Sequence, residues 1–322
     1  MNRTIIIVLA VFTVLLSVIH LLPGEARAEK RIGMLLWSEE SRYGNSQNGV
    51  VEQLKKGGFR EPAVRFTMEN AGGNKAKAAE LARKFAAAKM DLIVAIGTTA
   101  AIAVTREIKD VPVVFSMVYD PVETKIAEDW QSSGNNTTGA SPKVPMTKLI
   151  NILKELAPVQ RLAVLYTPNE KNSETQLKEL QGLQGSLQIK VIPVPLTKQE
   201  EAAQILPEVI RAADAIYLSG SSIVGKEVHT IVDMANKAKV PTITHLDDLA
   251  GQGVLLGVCA DPYMVGRLAG EKAVKVLKGT KPSAIPIEPL KKLDVILNMR
   301  TAKAGQFRIP PSFMKLVTKT VE

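Results

Sequence analysis

Two hydrophobic patterns alternate along the chain. The short apolar run Arg31–Trp37 reads as a buried strand, and Ala63–Met68, Asp91–Ile96 and Val111–Ser116 read as further strands. Between them, apolar residues recur every three or four positions in Asn45–Lys56, Lys75–Ala88 and Thr99–Ile108, which predicts helices. Gly57-Gly58 supplies a C-terminal stop for the first. The same order then returns as helix Met146–Leu156, strand Arg161–Tyr166, helix Ser173–Gln184 and strand Gln188–Val194. It continues as helix Lys198–Ala212, strand Ala215–Leu218, helix Ile223–Lys239 and strand Pro241–Thr244. A strand-like run Val254–Val258, a helix Tyr263–Leu277, a proline-rich extended stretch Lys281–Pro289 and a strand Leu293–Asn298 follow. Strands alternating with helices, and buried on both faces, predict an α/β architecture with parallel sheets covered by helices.

The two runs echo one another. Arg31-Ile32-Gly33-Met34-Leu35-Leu36-Trp37 parallels Arg161-Leu162-Ala163-Val164-Leu165-Tyr166-Thr167. Ala95-Ile96-Gly97, a helix, Val111-Pro112-Val113-Val114 and Asp120 parallel Ala215-Ile216-Tyr217, a helix, Val240-Pro241-Thr242-Ile243 and Asp247. Two similar lobes explain the echo, with the Gly/Asn/Pro-rich stretch Ser132–Pro145 as their joint. The material after Thr244 returns over both lobes, so the chain crosses between them more than once.

The N-terminus has the pattern of a secretory signal. Arg3 precedes an uncharged, almost wholly apolar run from Thr4 to Leu22, then Pro23-Gly24, then the small-x-small site Ala26-Arg27-Ala28. Cleavage after Ala28 would leave 322 − 28 = 294 residues and lower the net charge from +9 to +8. The run is also just long enough to act as an uncleaved anchor. Export to the periplasm disfavours nucleotide substrates and intracellular partners. The charge does not point to nucleic acid, because Lys and Arg are dispersed over helix faces with no dense patch. A single cysteine, Cys259, excludes an internal disulfide framework, and with histidine confined to His20, His229 and His245 no metal centre is expected.

Chemistry is expected where open parallel sheets bind ligands, beyond the carboxyl ends of the strands. Those ends are Trp37-Ser38-Glu39, Gly97-Thr98-Thr99, Ser116-Met117, Tyr166-Thr167, Ser219-Gly220-Ser221-Ser222 and His245 to Asp248. Gly97 and Gly220 permit close backbone approach. Thr98, Thr99, Ser221 and Ser222 sit where helices begin and free N–H groups favour a carboxylate, although ordinary helix capping selects the same residues. Trp37 reads either as a stacking surface or as an anchor between lobes, and Asp247 either as a ligand acceptor or as a helix cap. Gly220 to Lys226 has the GxxxxGK spacing of a phosphate loop, but Glu227 stands where Ser or Thr should hold magnesium. No GxSxG or HExxH template is present, and apolar-flanked Cys259 reads as inert, so no enzyme and no cofactor is expected.

A family resemblance follows from the order of several motifs. Ala95-Ile96-Gly97-Thr98-Thr99-Ala100-Ala101, Val111-Pro112-Val113-Val114-Phe115, Asp120-Pro121-Val122, Asn136-Thr137-Thr138-Gly139-Ala140-Ser141 and Leu165-Tyr166-Thr167-Pro168 with Asn172-Ser173 are among them. Asp214-Ala215-Ile216-Tyr217, Gly266-Arg267-Leu268-Ala269-Gly270 and Leu277-Lys278-Gly279 continue the series. Together they resemble ABC-importer substrate-binding proteins of the tryptophan/tyrosine-binding type. The resemblance implies a type 1 periplasmic-binding-protein architecture of two Rossmann-like lobes with three interlobe crossings. It implies an N-lobe of residues 29–140 with 252–281, a C-lobe of 141–251 with 282–322, and a ligand cleft lined by Trp37, Ser38, Thr98, Thr99, Ser116, Ser141, Asn172, Ser219, Gly220, Ser221 and Asp247. The chain departs from relatives at Thr167-Pro168-Asn169-Glu170, where Asn-Pro-Gly-Glu is usual, and at Ser221-Ser222-Ile223, where Asp-Asn-Thr is usual. The second departure removes an acidic group suited to an ammonium, so an amino acid, another carboxylate and a small polar solute all stay open as ligand.

These readings predict a monomeric extracytoplasmic receptor that binds a small molecule by hinge closure and presents it to an ABC permease and its ATPase subunits. A ligand-sensing module for a membrane signalling receptor is the alternative, since both uses share the fold.

Overall fold

The computed structural model describes residues 29–322, so the secretory-signal expectation, which concerns residues 1–28, lies outside the described residues. The first half is β1 (Lys30–Leu36), α1 (Ser41–Lys56), β2 (Val64–Asn70), α2 (Lys75–Ala87), β3 (Leu92–Ile96), α3 (Thr98–Glu107), β4 (Val113–Ser116) and β5 (Thr137–Ser141). The second is α4 (Met146–Leu156), β6 (Arg161–Tyr166), α5 (Lys171–Gly182), α6 (Gln184–Leu187), β7 (Lys190–Pro195), α7 (Glu201–Ala212) and β8 (Ala215–Leu218). It continues with α8 (Ser222–Lys226), α9 (Val228–Lys237), β9 (Thr242–Thr244), α10 (Asp247–Gly251) and β10 (Leu256–Ala260). The tail adds α11 (Pro262–Leu277), β11 (Glu288–Pro289), β12 (Leu293–Asn298), α12 (Met299–Ala304), α13 (Pro311–Met314) and β13 (Lys319–Val321).

Two sheets result. The first has the order β11-β5-β4-β3-β1-β2 and the second β13-β12-β10-β9-β8-β6-β7. All pairings are parallel except β10 with β12. Strand β3, Leu-Ile-Val-Ala-Ile, is buried at every position, which is why its sequence does not alternate. One apolar core serves the first sheet, and two flank the second. Helix α11 closes the first core by packing on α1. Glycines permit that approach: a Cβ at Gly266 would collide with the Ser46 carbonyl, and one at Gly49 with the Tyr263 carbonyl.

The chain passes between the sheets three times: after β5, between β10 and α11, and between β11 and β12. Sheet membership differs from the expected lobe boundaries at two segments. Leu256–Ala260, fully buried, lies in the second sheet between β9 and β12. Glu288–Pro289 pairs with Ala140 and Ser141 in the first sheet, while Ile285 and Ile287 bury in the first core. The expected joint Ser132–Pro145 contains a strand, β5, which its sequence conceals. Thr137-Thr138-Gly139-Ala140-Ser141 has little apolar character, but two of its hydroxyls are used internally, Thr138 Oγ1 donating to the Ile285 carbonyl at 2.8 Å and Ser141 Oγ to the Tyr119 carbonyl at 2.7 Å. The helix expected over Ile223–Lys239 breaks at Glu227 into α8 and α9. No helix among the described residues is long and apolar enough to cross a membrane.

Candidate functional site

The carboxyl ends of the two sheets face one another, and a small cavity of about 20 Å³ lies between them. That is room for about one water, far below the roughly 300–1,000 Å³ of ligand pockets, so a larger ligand needs the lobes to part. The first lobe contributes Arg42, Tyr43, Thr98, Met117 and Pro142, together with Tyr119, which follows β4 in the chain but packs into a core of the second sheet. The second contributes Asn172, Gln176, Gly220, His245 and Leu246. Two further grooves run along the lobe boundary. Thr99 lines one with Lys75, Arg106 and Lys171, and Ser38 lines the other with Glu40, Ser222 and Lys226.

The wall from the first lobe offers unsatisfied donors. Gly97 precedes α3 with φ +102°, a left-handed conformation in which a Cβ would also lie 2.9 Å from Trp37 Cβ. Having no side chain, Gly97 cannot cap α3, so the first N–H groups of the helix have neither an intrahelical partner nor a side-chain cap. Thr98 is 5% exposed, and its hydroxyl has no hydrogen-bond partner among the described residues. Free N–H groups, a helix dipole and a hydroxyl together suit a carboxylate. Beside them lies Arg42, whose Nη1 donates to Asp248 Oδ2 at 2.6 Å across the lobes and whose Nη2 donates to Glu40 Oε1 at 3.3 Å. Both side chains of the Arg42–Asp248 pair are 3% exposed. The guanidinium also sits 4.8 Å from the centre of the Tyr43 ring.

The wall from the second lobe is different: its polar groups satisfy one another. Gly220 N donates to Gln176 Oε1 at 2.9 Å, and Asn172 Nδ2 donates to the Gly220 carbonyl. Gln176 Nε2 lies 3.2 Å from His245 Nε2, and Tyr217 Oη lies 2.8 Å from His245 Nδ1. Burial, with the Arg42 charge as a second cause, pushes His245 down to about 3, so the imidazole is neutral. Tyr119 meets that imidazole edge-on, with ring centres 5.3 Å apart.

The other residues expected at the site are engaged elsewhere. Trp37 is buried and its Nε1 donates to Ser222 Oγ at 3.2 Å, a contact between lobes. Ser222 in turn donates from Oγ to Glu170 Oε1 at 2.9 Å, and burial raises the Glu170 carboxyl. Ser116 Oγ pairs with Ser46 Oγ at 2.8 Å, and Ser141 Oγ donates to the Tyr119 carbonyl at 2.7 Å. Ser221 caps α8, accepting from Ile223 N and Val224 N, and pairs with Thr167 Oγ1. Ser219 is fully buried with a hydroxyl that has no partner. Asp247 does not line the cavity. Its Oδ1 is buried without a partner, and burial, aided by Asp248, raises its carboxyl to about 7. Its neighbour Asp248 makes the interlobe contact instead.

The model of the ABC transporter substrate binding protein family matches residues 34–321. The chain belongs to that family. Its members bind solutes and perform no covalent chemistry. A tyrosine-binding protein of Clostridioides difficile is 26% identical over 282 residues, covering 87% of this chain and 82% of the relative. The structure of an ABC domain in complex with L-Trp from Streptococcus pneumoniae is 25% identical with a TM-score of 0.86, covering 91% of this chain and all of the other. A ligand-free, open substrate-binding protein with adhesive properties from Clostridium difficile is 27% identical with a TM-score of 0.73, over 91% of this chain and all of the other. The two lobes and three crossings are the type 1 periplasmic-binding-protein fold.

Several cavity residues of this family member are not legible from strand ends. Arg42 and Tyr43 open α1, five residues or more beyond β1, and Gln176 lies inside α5. Tyr119 carried a signal, since aromatics make up only 4% of the chain and this one follows a strand. Gln176 carried none.

Proposed function

We propose that this protein is the extracytoplasmic receptor of an ABC importer and that it closes its lobes over an amino acid with an aromatic side chain. The observation that carries the reading is the cavity itself, walled by strand ends of both lobes, with the uncapped start of α3 facing into it. The α-carboxylate would accept from Thr98 Oγ1 and the first N–H groups of α3, where the helix dipole favours it. The side chain would lie among Met117, Tyr119, His245 and Leu246, a largely apolar surface that rewards a flat ring. The tyrosine-binding relative and the L-Trp complex support that ligand class.

Closure follows from placement. Only a closed arrangement lets both walls touch one ligand, so a ligand that binds both stabilises that state by its differential affinity. The chain superposes better on the L-Trp complex than on the ligand-free open relative, with TM-scores of 0.86 against 0.73, which supports a closed arrangement here. On this reading residues 1–28 are a leader removed on export. The mature protein is a monomer that hands its solute to a permease driven by an ATPase. The N-lobe follows the first sheet, and the C-lobe the second.

Titration calorimetry of the purified protein with L-tryptophan, L-tyrosine, L-alanine and ribose tests the ligand class. Saturable heat with one of the two aromatic amino acids, at least about tenfold tighter than with L-alanine, is expected. Saturable heat with ribose and none with either aromatic amino acid would overturn the reading.

A further inference from the structure

We infer that Gln176 is a positioning residue: it holds His245 in the neutral tautomer protonated at Nδ1, and so keeps the second lobe's wall of the cavity uncharged and selective for ligands with uncharged side chains. The ligand clause rests on the function proposed above; the tautomer clause does not.

Donors and acceptors around the ring fix its proton. A backbone N–H can only donate, so the 2.9 Å contact from Gly220 N fixes the Gln176 oxygen towards Gly220. The amide nitrogen of Gln176 then faces His245 Nε2 at 3.2 Å. That nitrogen also can only donate, so Nε2 must present its lone pair and the ring proton must sit on Nδ1. His245 Nδ1 donates to Tyr217 Oη at 2.8 Å, and the phenol proton points back to Gln176 Oε1 at 3.4 Å. The three side chains form a closed ring of complementary bonds, each member no more than 2% exposed. Protonating Nε2 would set two donors against each other inside a buried site.

The surroundings agree. The groups facing His245 are Tyr119 at its edge, Tyr217 at its face and the Arg42 cation, while Glu179 is held off by accepting from Tyr119 Oη at 3.1 Å. Arg42 is itself taken by Asp248. An acidic ligand side chain at this wall would therefore find no unpaired cation, whereas an aromatic edge fits.

The test is nitrogen-15 NMR of the histidine ring across about pH 8 to about pH 5, on wild-type protein, Gln176→Glu and Gln176→Leu, with His245→Asn to assign the signals. Wild-type His245 should show the Nδ1–H pattern and not titrate. Gln176→Glu replaces the donor by a carboxylate and should raise the His245 midpoint by about two units or more. Its affinity for L-tryptophan should then fall on the order of tenfold between about pH 8 and about pH 5, while wild type stays flat. Gln176→Leu should lose the single-tautomer pattern. A wild-type ring protonated at Nε2, or charged near pH 6, would overturn the inference, as would a Gln176→Glu ring that stays neutral. Should the ring behave as stated while no aromatic amino acid binds, the functional reading fails and the tautomer lock stands.

Discussion

The two walls of the cavity are built from the same element, the carboxyl end of a parallel sheet, yet they hold polar groups in opposite states. On the first lobe's side the start of α3 is uncapped, because Gly97 has no side chain, and the Thr98 hydroxyl has no partner among the described residues. On the second lobe's side α8 is capped by Ser221, and Gln176, Tyr217 and His245 bond to one another. Unused donors are where a ligand gains most, since it brings acceptors that nothing else supplies. Satisfied groups shape a surface without pulling on a charge. The first wall is thus suited to hold the group common to all amino acids, and the second to judge the group that varies.

Asp248→Ala gives the largest expected effect on that contrast. It leaves Arg42 buried against the first wall without its 2.6 Å partner. Removing one member of a buried pair costs about 3–5 kcal/mol, and Glu40 at 3.3 Å keeps the loss near the lower end. Opening the lobes relieves the penalty by hydrating Arg42, so the variant should weaken ligand binding on the order of a hundredfold and enlarge the radius of gyration seen by X-ray scattering. Unchanged scattering and affinity would mean that the pair does not hold the walls together.

Asp247→Asn tests whether the neighbouring carboxylate contributes to the cleft or only to folding. Asp247 is raised to about 7 in the folded protein, against about 3.9 in an unfolded chain. The folded state therefore binds more protons between those values, and stability falls as pH rises through that window. Below about pH 4 the variant and wild type should melt alike. Above about pH 7 the variant should be the more stable, by a few kcal/mol at most, with ligand affinity unchanged. A variant with weakened binding and no gain in stability would return Asp247 to the cleft.

Thr98→Val has the smallest effect and the narrowest meaning. It keeps shape and removes one hydroxyl from the first wall, at a cost of about 1–2 kcal/mol in binding, or roughly five- to thirtyfold, with little change in melting temperature. An equal loss for the decarboxylated amine of the ligand would show that the hydroxyl does not serve the carboxylate.

Most of the fold was legible because burial writes itself into sequence. Runs such as Leu92–Ile96, apolar at every position, can sit only in a doubly covered strand. Strand β5 was not legible, since Thr137-Thr138-Gly139-Ala140-Ser141 buries hydroxyls, two of which donate to the distant carbonyls of Ile285 and Tyr119. The lobe boundary at Leu256–Ala260 was missed because a strand's sequence does not state which sheet receives it. At the site, Gly97, Thr98 and Gly220 were visible as strand ends, and all three adjoin the cavity. Hydroxyls at Ser116, Ser141 and Ser221 look the same in sequence but are tied into the scaffold. Capping and ligand binding ask for the same residue types, so only geometry separates them. Gln176 and Arg42 act from helices by reaching across space, which no local pattern encodes.

A crystal structure of the protein grown with L-tryptophan tests the assignment of the two walls most directly. Its carboxylate should lie within hydrogen-bonding distance, about 2.7–3.2 Å, of Thr98 Oγ1 and the first N–H groups of α3, with the indole against Tyr119 and His245. An indole seated at the start of α3 with the carboxylate turned towards Gln176 and His245 would contradict it.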